Sequence, residues 1–272
     1  MNPVRVTSRS HYALAVLTVI YVLHFIDRQI LSVLVEPIKR EFDASDTQMG
    51  LLTGLAFALF YAFLGIPIAR LADRGSRRNI IAACCAGWSV FTVVCGQASS
   101  YLTLLLARIG VATGEAGGTA PMISMMSDLY PRAQRPVAMS VFGLGPHIGV
   151  VFGLTLGGFI AQHYGWRAAF IWMGAPGVLM ALVLFLTVHE PLRGGMDEAP
   201  PQSGVAGQSG QRPRLTQSLR QIIAQPAIWM LLLAVGMAGF VGYGFGSWNI
   251  SFLVRAHAIW RSEERRVGKE CR

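Results

Sequence analysis

The chain is poor in charge. Only 14% of its 272 residues are Asp, Glu, Lys or Arg, and 53% are apolar, whereas soluble domains carry roughly 25% charged residues. So little polar surface cannot cover a water-exposed globule, which excludes the soluble enzyme classes. Cysteine is scarce too. Of Cys84, Cys85, Cys95 and Cys271, three lie in one apolar run, and no His or Asp accompanies them at metal-ligand spacing. They read as small apolar residues, so no metal and no other cofactor is expected. No small-x-small cleavage site follows the first apolar run and six more such runs do, so a retained helix is expected there rather than a cleaved signal peptide.

What the chain does have is apolar runs of membrane-spanning length, which takes about 20 residues. Seven are predicted: 13–35, 49–69, 80–95, 102–126, 137–160, 168–188 and 227–254. The 30 glycines suit close packing of membrane helices. The net charge of +9 does not imply nucleic acid, because Arg and Lys sit in the gaps between runs rather than along one face. With the N-terminus in the cytoplasm, the inner segments carry twelve basic residues: Arg5, Arg9, Arg70, Arg74, Arg77, Arg78, Arg132, Arg135, Arg193, Arg212, Arg214 and Arg220. The outer segments carry four, Lys39, Arg40, Arg167 and Arg255. The N-terminus is expected inside.

The domain organisation follows. Residues 1–189 are expected to form a six-helix bundle, and 190–225, rich in Gly, Pro, Ser and Gln, a cytoplasmic linker with a short amphipathic helix at 215–223. Residues 226–260 form a seventh span. The segment 261–272, with eight charged residues in twelve, reads as a non-native run-on and is given no function.

Charge inside the bilayer is the sharpest signal, because a central Asp or Arg costs about 2.5–3.5 kcal/mol and needs a partner or a water-filled cavity. His24, Asp27 and Arg28 fall in the first span, and Arg108 and Glu115 in the fourth. His24 and Asp27, three apart, share a helix face. Arg108 and Glu115, seven apart, lie about 10 Å from one another along their helix, too far for a direct bridge. Each must find a neighbouring span or a ligand. One reading is a pair of interhelical salt bridges. The other is a solvated hollow in which a carboxylate exchanges a proton while an arginine holds an anion. His147, in the fifth span, is a further candidate for the substrate, although a histidine so placed is more often a satisfied, buried one than a ligand.

Gly145, Gly149, Gly153 and Gly157 recur every fourth residue, with Pro146 beside the first. Such a stripe lets another backbone approach closely. Gly50, Gly54, Ala58 and Ala62 repeat the pattern in the second span. In the loop at 69–78, Asp73 among basic residues points to specific pairing.

Leu71, Ala72, Asp73, Arg74, Arg77 and Arg78 match the signature loop Gly-x-Leu-Ala-Asp-Arg-x-Gly-Arg-Arg, with Ala69 and Ser76 replacing its glycines. That pattern resembles the major facilitator superfamily, as do Gly145-Pro146-His147-Ile148-Gly149 in the fifth span and Arg108 with Gly114 in the fourth. The segments Phe25-Ile26-Asp27-Arg28-Gln29-Ile30-Leu31-Ser32, Ser45-Asp46-Thr47-Gln48-Met49-Gly50-Leu51-Leu52-Thr53-Gly54, Arg108-Ile109-Gly110-Val111-Ala112-Thr113-Gly114-Glu115-Ala116 and Gly165-Trp166-Arg167-Ala168-Ala169-Phe170 are similar to its Spinster-like branch.

The resemblance implies a fold class: an all-α polytopic membrane protein, with a six-helix N-terminal bundle and one helix of an incomplete C-terminal bundle. It implies alternating access in a twelve-helix transporter. Asp27 and Glu115 would couple protons, and Arg28, Arg108, His24 and His147 would meet the substrate. Asp73, Arg74, Arg77 and Arg78 would latch the cytoplasmic side. The implied partners are a small-molecule or lipid-like substrate, protons, the bilayer and the missing C-terminal helices, in a bacterial inner membrane. In that fold the second helix meets the eleventh and the fifth meets the eighth, so both small-residue stripes are expected to face nothing here. The substrate class is an amphipathic organic anion or lysolipid. The alternatives are a carboxylate or sugar-acid symporter, a transport-dead sensor or scaffold, and an intramembrane enzyme using Glu115, Asp27, His24 and His147, which lacks a nucleophile–base pair.

Overall fold

A computed structural model describes residues 6–196 and 223–257. The chain divides into two units, Met1–Asp197 and Glu198–Arg272. Six helices form the first: α1 (Ser8–Phe42), α2 (Asp46–Arg74), α3 (Arg77–Cys95), α4 (Tyr101–Glu115), α5 (Thr119–Leu129) and α6 (Arg135–Thr187). α7 (Pro226–His257) belongs to the second. The described residues contain no strand. The expected helix at 215–223 and the tail at 261–272 lie almost wholly outside the described residues.

Local sequence sets the boundaries. α1 ends at Asp43, which takes a left-handed conformation (φ 47°) while Lys39 and Arg40 complement the helix dipole. Ser45 and Gln48 close a capping box at the start of α2. Ser76 caps α3, and Ser100 with Thr103 makes a second capping box for α4. Within α2, Leu51–Leu55 is a π-helical turn.

Two expectations about spans need refinement. The fourth is not one helix: it breaks at 116–118, between α4 and α5. Glycine is the reason. A Cβ at Gly117 would lie 2.4 Å from Cys84 Sγ, and one at Gly114 would lie 2.5 Å from the Trp88 nitrogen. The bare backbone lets α4 press on α3, and the paired glycines that follow do not sustain a helix. The fifth and sixth spans, conversely, are joined in the 53-residue α6, broken only at Gly165 (φ 83°, ψ 162°).

The contacts show that α6 is a hairpin. Its first half runs parallel to α1: Gly145, Gly149, Gly153 and Gly157 meet Tyr21, Phe25, Gln29 and Ile30 in turn. Its second half runs back. Trp166 Nε1 donates to Glu41 at the end of α1 (2.6 Å), while Thr187 and Tyr12 hydroxyls meet at its beginning (2.8 Å). Arg167 adds a bridge to Glu41 (2.6 Å) and a bond to the Ala98 carbonyl (2.9 Å). Gly174 and Gly177 pack this half against Ser89 and Thr92 of α3.

The fifth-span stripe therefore does not face nothing. It is the seam with α1, and its four glycines are buried. The second-span stripe is open, as expected: a Cβ added at Gly54 would have no atom within 4 Å, and Ala58 and Ala62 are exposed.

Candidate substrate and proton site

α1 and α4 bring the intramembrane charges together. His24 and Asp27 lie in the same buried stripe of α1 as Ile20 and Leu31, with Arg28 half-buried at its margin. Opposite them, α4 supplies Arg108 and Glu115. His24, Asp27, Arg108 and Glu115 are all buried, between 0% and 3% exposed. Arg28, 16% exposed, carries the cluster to the surface of the bundle.

The pairing crosses between helices. Arg28 Nε donates to Glu115 Oε2 at 2.5 Å, and His24 Nε2 lies 3.3 Å from the same oxygen. Glu115 thus finds its partner in a neighbouring span, one of the two outcomes that the spacing along α4 left open. Asp27 Oδ2 is 2.5 Å from Thr92 Oγ1 of α3, and its Oδ1 has no hydrogen-bond partner among the described residues. Nor do Arg108 Nε and Nη1. The Arg108 guanidinium instead faces the Phe57 ring at 5.3 Å. Arg28 stands over Tyr61 at 4.6 Å and Phe57 at 5.1 Å. Cation–π contact of this kind favours a desolvated guanidinium but does not neutralise it.

Two arginines and two carboxyl groups balance when both acids are ionised and His24 is neutral. One proton taken up by either acid leaves a net positive charge in a buried place, where an uncompensated ion costs several kcal/mol. An anion arriving at Arg108 would restore the balance. That is what the arrangement can do chemically.

His147 is corrected on one point. It is exposed rather than buried, and its Nδ1 lies 3.1 Å from the Gly143 carbonyl of its own helix. It stands two residues from Gly145 and Gly149, hence about 200° around the helix from the face they bury, and is not brought to the cluster.

The loop residues are also redistributed. Asp73 and Arg74 are exposed, and no ion pair of the Asp73 carboxylate is found among the described residues. Arg77 is the buried centre instead. It pairs with Asp128 of α5 and with Glu190 (2.8 Å), and donates to the carbonyls of Ser124 and Pro191. Glu190 also accepts from the Arg78 N–H (2.7 Å) and the Ser76 hydroxyl (3.0 Å). Burial pushes the Glu190 carboxyl up, but these donors outweigh it and hold it below the ordinary glutamate value. Arg193 donates to the Ala72, Asp73 and Gly75 carbonyls at the end of α2. The specific pairing expected of Asp73 thus falls to Arg77.

Sequence reading missed Thr92, Phe57, Tyr61, Asp128 and Glu190. Thr92 is a polar residue within an apolar span and Phe57 and Tyr61 share a face at i, i+4, but neither signal singles out a site without the partner helix. A cavity of about 420 Å³ lies elsewhere, lined by Thr7, Arg9, Tyr12, Leu129, Thr187 and Glu190 among others, with no member of the charged cluster.

Comparison with known proteins agrees with this architecture. The Major Facilitator Superfamily profile matches residues 17–258. An "MFS-type efflux pump" of Mycolicibacterium smegmatis is 30% identical over 251 residues, covering 92% of this chain and 56% of that protein. "Protein spinster homolog 1" of Homo sapiens is 26% identical over 257 residues, 92% of this chain and 47% of that one. The "Hexuronate transporter" of Bacillus subtilis is 25% identical over 233 residues, 86% of this chain and 54% of that one. Among solved structures, a bacterial homologue of the human lysosomal transporter Spinster, inward-facing and unoccupied, matches with a TM-score of 0.78 and 39% identity. The match covers 93% of this chain and 57% of that one. The chain spans about half the length of these relatives. With its profile match, its apolar helices and its likeness to Spinster homologues, this multi-pass membrane protein belongs to the Major Facilitator Superfamily.

Proposed function

We propose that the chain supplies the N-terminal half of a secondary active, proton-coupled transporter that moves an amphipathic organic anion or lysolipid-like substrate by alternating access. One observation carries the reading: Arg108 is buried with two guanidinium nitrogens lacking hydrogen-bond partners among the described residues, beside an Arg28–Glu115–Asp27 set whose charge changes with one proton. In this scheme Asp27 or Glu115 takes up a proton, and the surplus positive charge draws the anion to Arg108, with Arg28 and His24 at its side. Phe57 and Tyr61 offer apolar surface to the rest of the molecule. The hollow would open beyond Arg28 and Tyr61, on the less buried side of the cluster.

The N-terminus lies in the cytoplasm of a bacterial inner membrane, on the balance of basic residues and by likeness to bacterial relatives. Arg77, Arg78 and Glu190 then form a cytoplasmic clasp within this half, while exposed Asp73 and Arg74 are left to latch against the other. The open face of α2 and α7 await the remaining C-terminal helices.

The test is reconstitution. Liposomes holding this chain together with the C-terminal half of a full-length transporter should take up an anionic lysolipid when a proton gradient is imposed, and this chain alone should not. Substrate-dependent, proton-driven uptake by the chain alone overturns the division of labour, and uptake indifferent to the gradient overturns the coupling. A sugar-acid substrate is the second reading, favoured by the likeness to a hexuronate transporter. Competition by hexuronate but not by lysolipid would decide for it.

A further inference from the structure

Thr92 stands between Asp27 and the preceding turn of its own helix. Its Oγ1 lies 2.5 Å from Asp27 Oδ2 and 2.9 Å from the Trp88 carbonyl oxygen, and the residue is fully buried. A hydroxyl has one proton to give and two lone pairs with which to accept. The Trp88 carbonyl has no proton of its own, and neither does an ionised carboxylate. One proton shared between two acceptors makes two weakened bonds; both contacts are full hydrogen bonds in only one way, with Asp27 protonated and donating to Thr92 while Thr92 donates to Trp88. When Asp27 is ionised, the Thr92 proton must turn to the carboxylate, since an unpaired buried charge is far costlier than a carbonyl that keeps its helical bond.

We propose that Thr92 is the positioning residue that reads the protonation of Asp27, giving its single hydroxyl proton to the Trp88 carbonyl when Asp27 is protonated and to the Asp27 carboxylate when it is ionised. The inference rests on the reading of Asp27 as a group that gains and loses a proton. That proton comes from and returns to solvent; no covalent bond of Thr92 changes. The charged and titratable groups around Asp27 are Arg28 on α1, Arg108 and Glu115 on α4, and Cys85 and Cys95 on α3, with His24 one turn earlier on the same buried face of α1. From α6, Gly174 packs on Thr92, where an added Cβ would lie 3.0 Å from the threonine Cβ.

The exchange has somewhere to go. A threonine that donates to the carbonyl four residues back bends its helix slightly. Here that carbonyl belongs to Trp88, whose backbone nitrogen bears on Gly114 of α4 and whose ring meets His24 edge-on at 5.3 Å. Switching the Thr92 bond thus alters α3 at the point where it touches both helices that carry the charges.

The experiment is a pH titration by infrared spectroscopy of the chain in lipid nanodiscs, following the carboxylic-acid band that Asp27→Asn removes. Thr92→Val is expected to move that band's frequency and to shift its titration midpoint by about one pH unit, the tenfold change expected for losing one charge-assisted hydrogen bond. Thr92→Ser, which keeps the hydroxyl, should restore both. A second measurement needs no Thr92 variant. With carbonyl-labelled tryptophan, one amide band should move in step with Asp27 and stay fixed in Asp27→Asn.

An Asp27 band that titrates identically in wild type and Thr92→Val, or a tryptophan carbonyl indifferent to it, overturns the role of Thr92 and leaves the transport reading standing. An Asp27 band that never titrates overturns both this role and Asp27 as a proton site. Failure of the reconstituted transporter to respond to a proton gradient, with the infrared shifts intact, counts against the coupling alone.

Discussion

Glu115 of α4 reaches across to α1, where its Oε2 holds Arg28 Nε at 2.5 Å with His24 Nε2 3.3 Å away. One carboxylate oxygen thus fastens two helices inside the bundle. Glu115→Gln keeps the shape and removes the charge, leaving buried Arg108 and half-buried Arg28 to share Asp27. A loss of roughly 3 kcal/mol in unfolding free energy is expected, the scale of breaking a buried pair from one side, read by denaturation in detergent. In the complete transporter the same change should abolish proton-driven flux while substrate still binds. Undiminished gradient-dependent transport would remove Glu115 from the mechanism.

The α1–α6 seam gives a sharper contrast. A Cβ at Gly149 would lie 2.6 Å from the Val22 carbonyl and 2.6 Å from Phe25 Cβ, whereas one at Gly54 would meet nothing within 4 Å. Gly149→Ala should cost about 1–3 kcal/mol by overpacking. Gly54→Ala should be neutral or slightly stabilising, since alanine is the better helix former. Equal melting shifts for the two in detergent would contradict the seam.

Gly165 turns the α6 hairpin with φ 83°, although a Cβ there would touch nothing. The cost of Gly165→Ala is then conformational rather than steric against neighbours, about 1–3 kcal/mol for a positive-φ extended conformation that essentially only glycine adopts. Thermal unfolding that is unchanged in this variant would show that the corner takes another backbone conformation.

Acid should loosen the Arg77 clasp. Glu190 lies below its ordinary value when folded, so its contribution is fully present above the unfolded glutamate value and disappears as pH falls through the lower, folded one. Glu190→Gln is expected to cost about 1–2 kcal/mol at neutral pH, a charged hydrogen bond discounted for partial exposure. The difference from wild type should close once the medium is more acidic than the folded value. A gap in stability that is constant from neutral to strongly acid pH would rule out this linkage.

Much of this was legible from the residues alone, for identifiable reasons. Apolar runs and basic gaps announce helices and their order, because the bilayer permits few other solutions. Asp27, Arg28, Arg108 and Glu115 stand out because charge is conspicuous in such runs. Their partners were not legible, since Arg28 and Glu115 lie 87 residues apart in sequence and helical periodicity gives a face without naming its neighbour. The same ignorance sent the Gly145–Gly157 stripe to an absent helix when α1 was there to receive it. Asp73 drew attention by its sign, whereas the buried contact belongs to Arg77, whose partners Asp128 and Glu190 look ordinary in the chain. The break after Glu115 was hidden because Gly117 and Gly118 also suit an uninterrupted membrane helix.

α1 is pinned at both ends, by Tyr12 to Thr187 and by Glu41 to Trp166 and Arg167, with four glycines meshed between. A rod held in this manner can neither slide like a piston nor roll about its long axis without tearing three sets of contacts together. If the complete protein works by the alternating access proposed for it, these helices would swing in unison, with the hinge at the boundary of the bundle rather than within it.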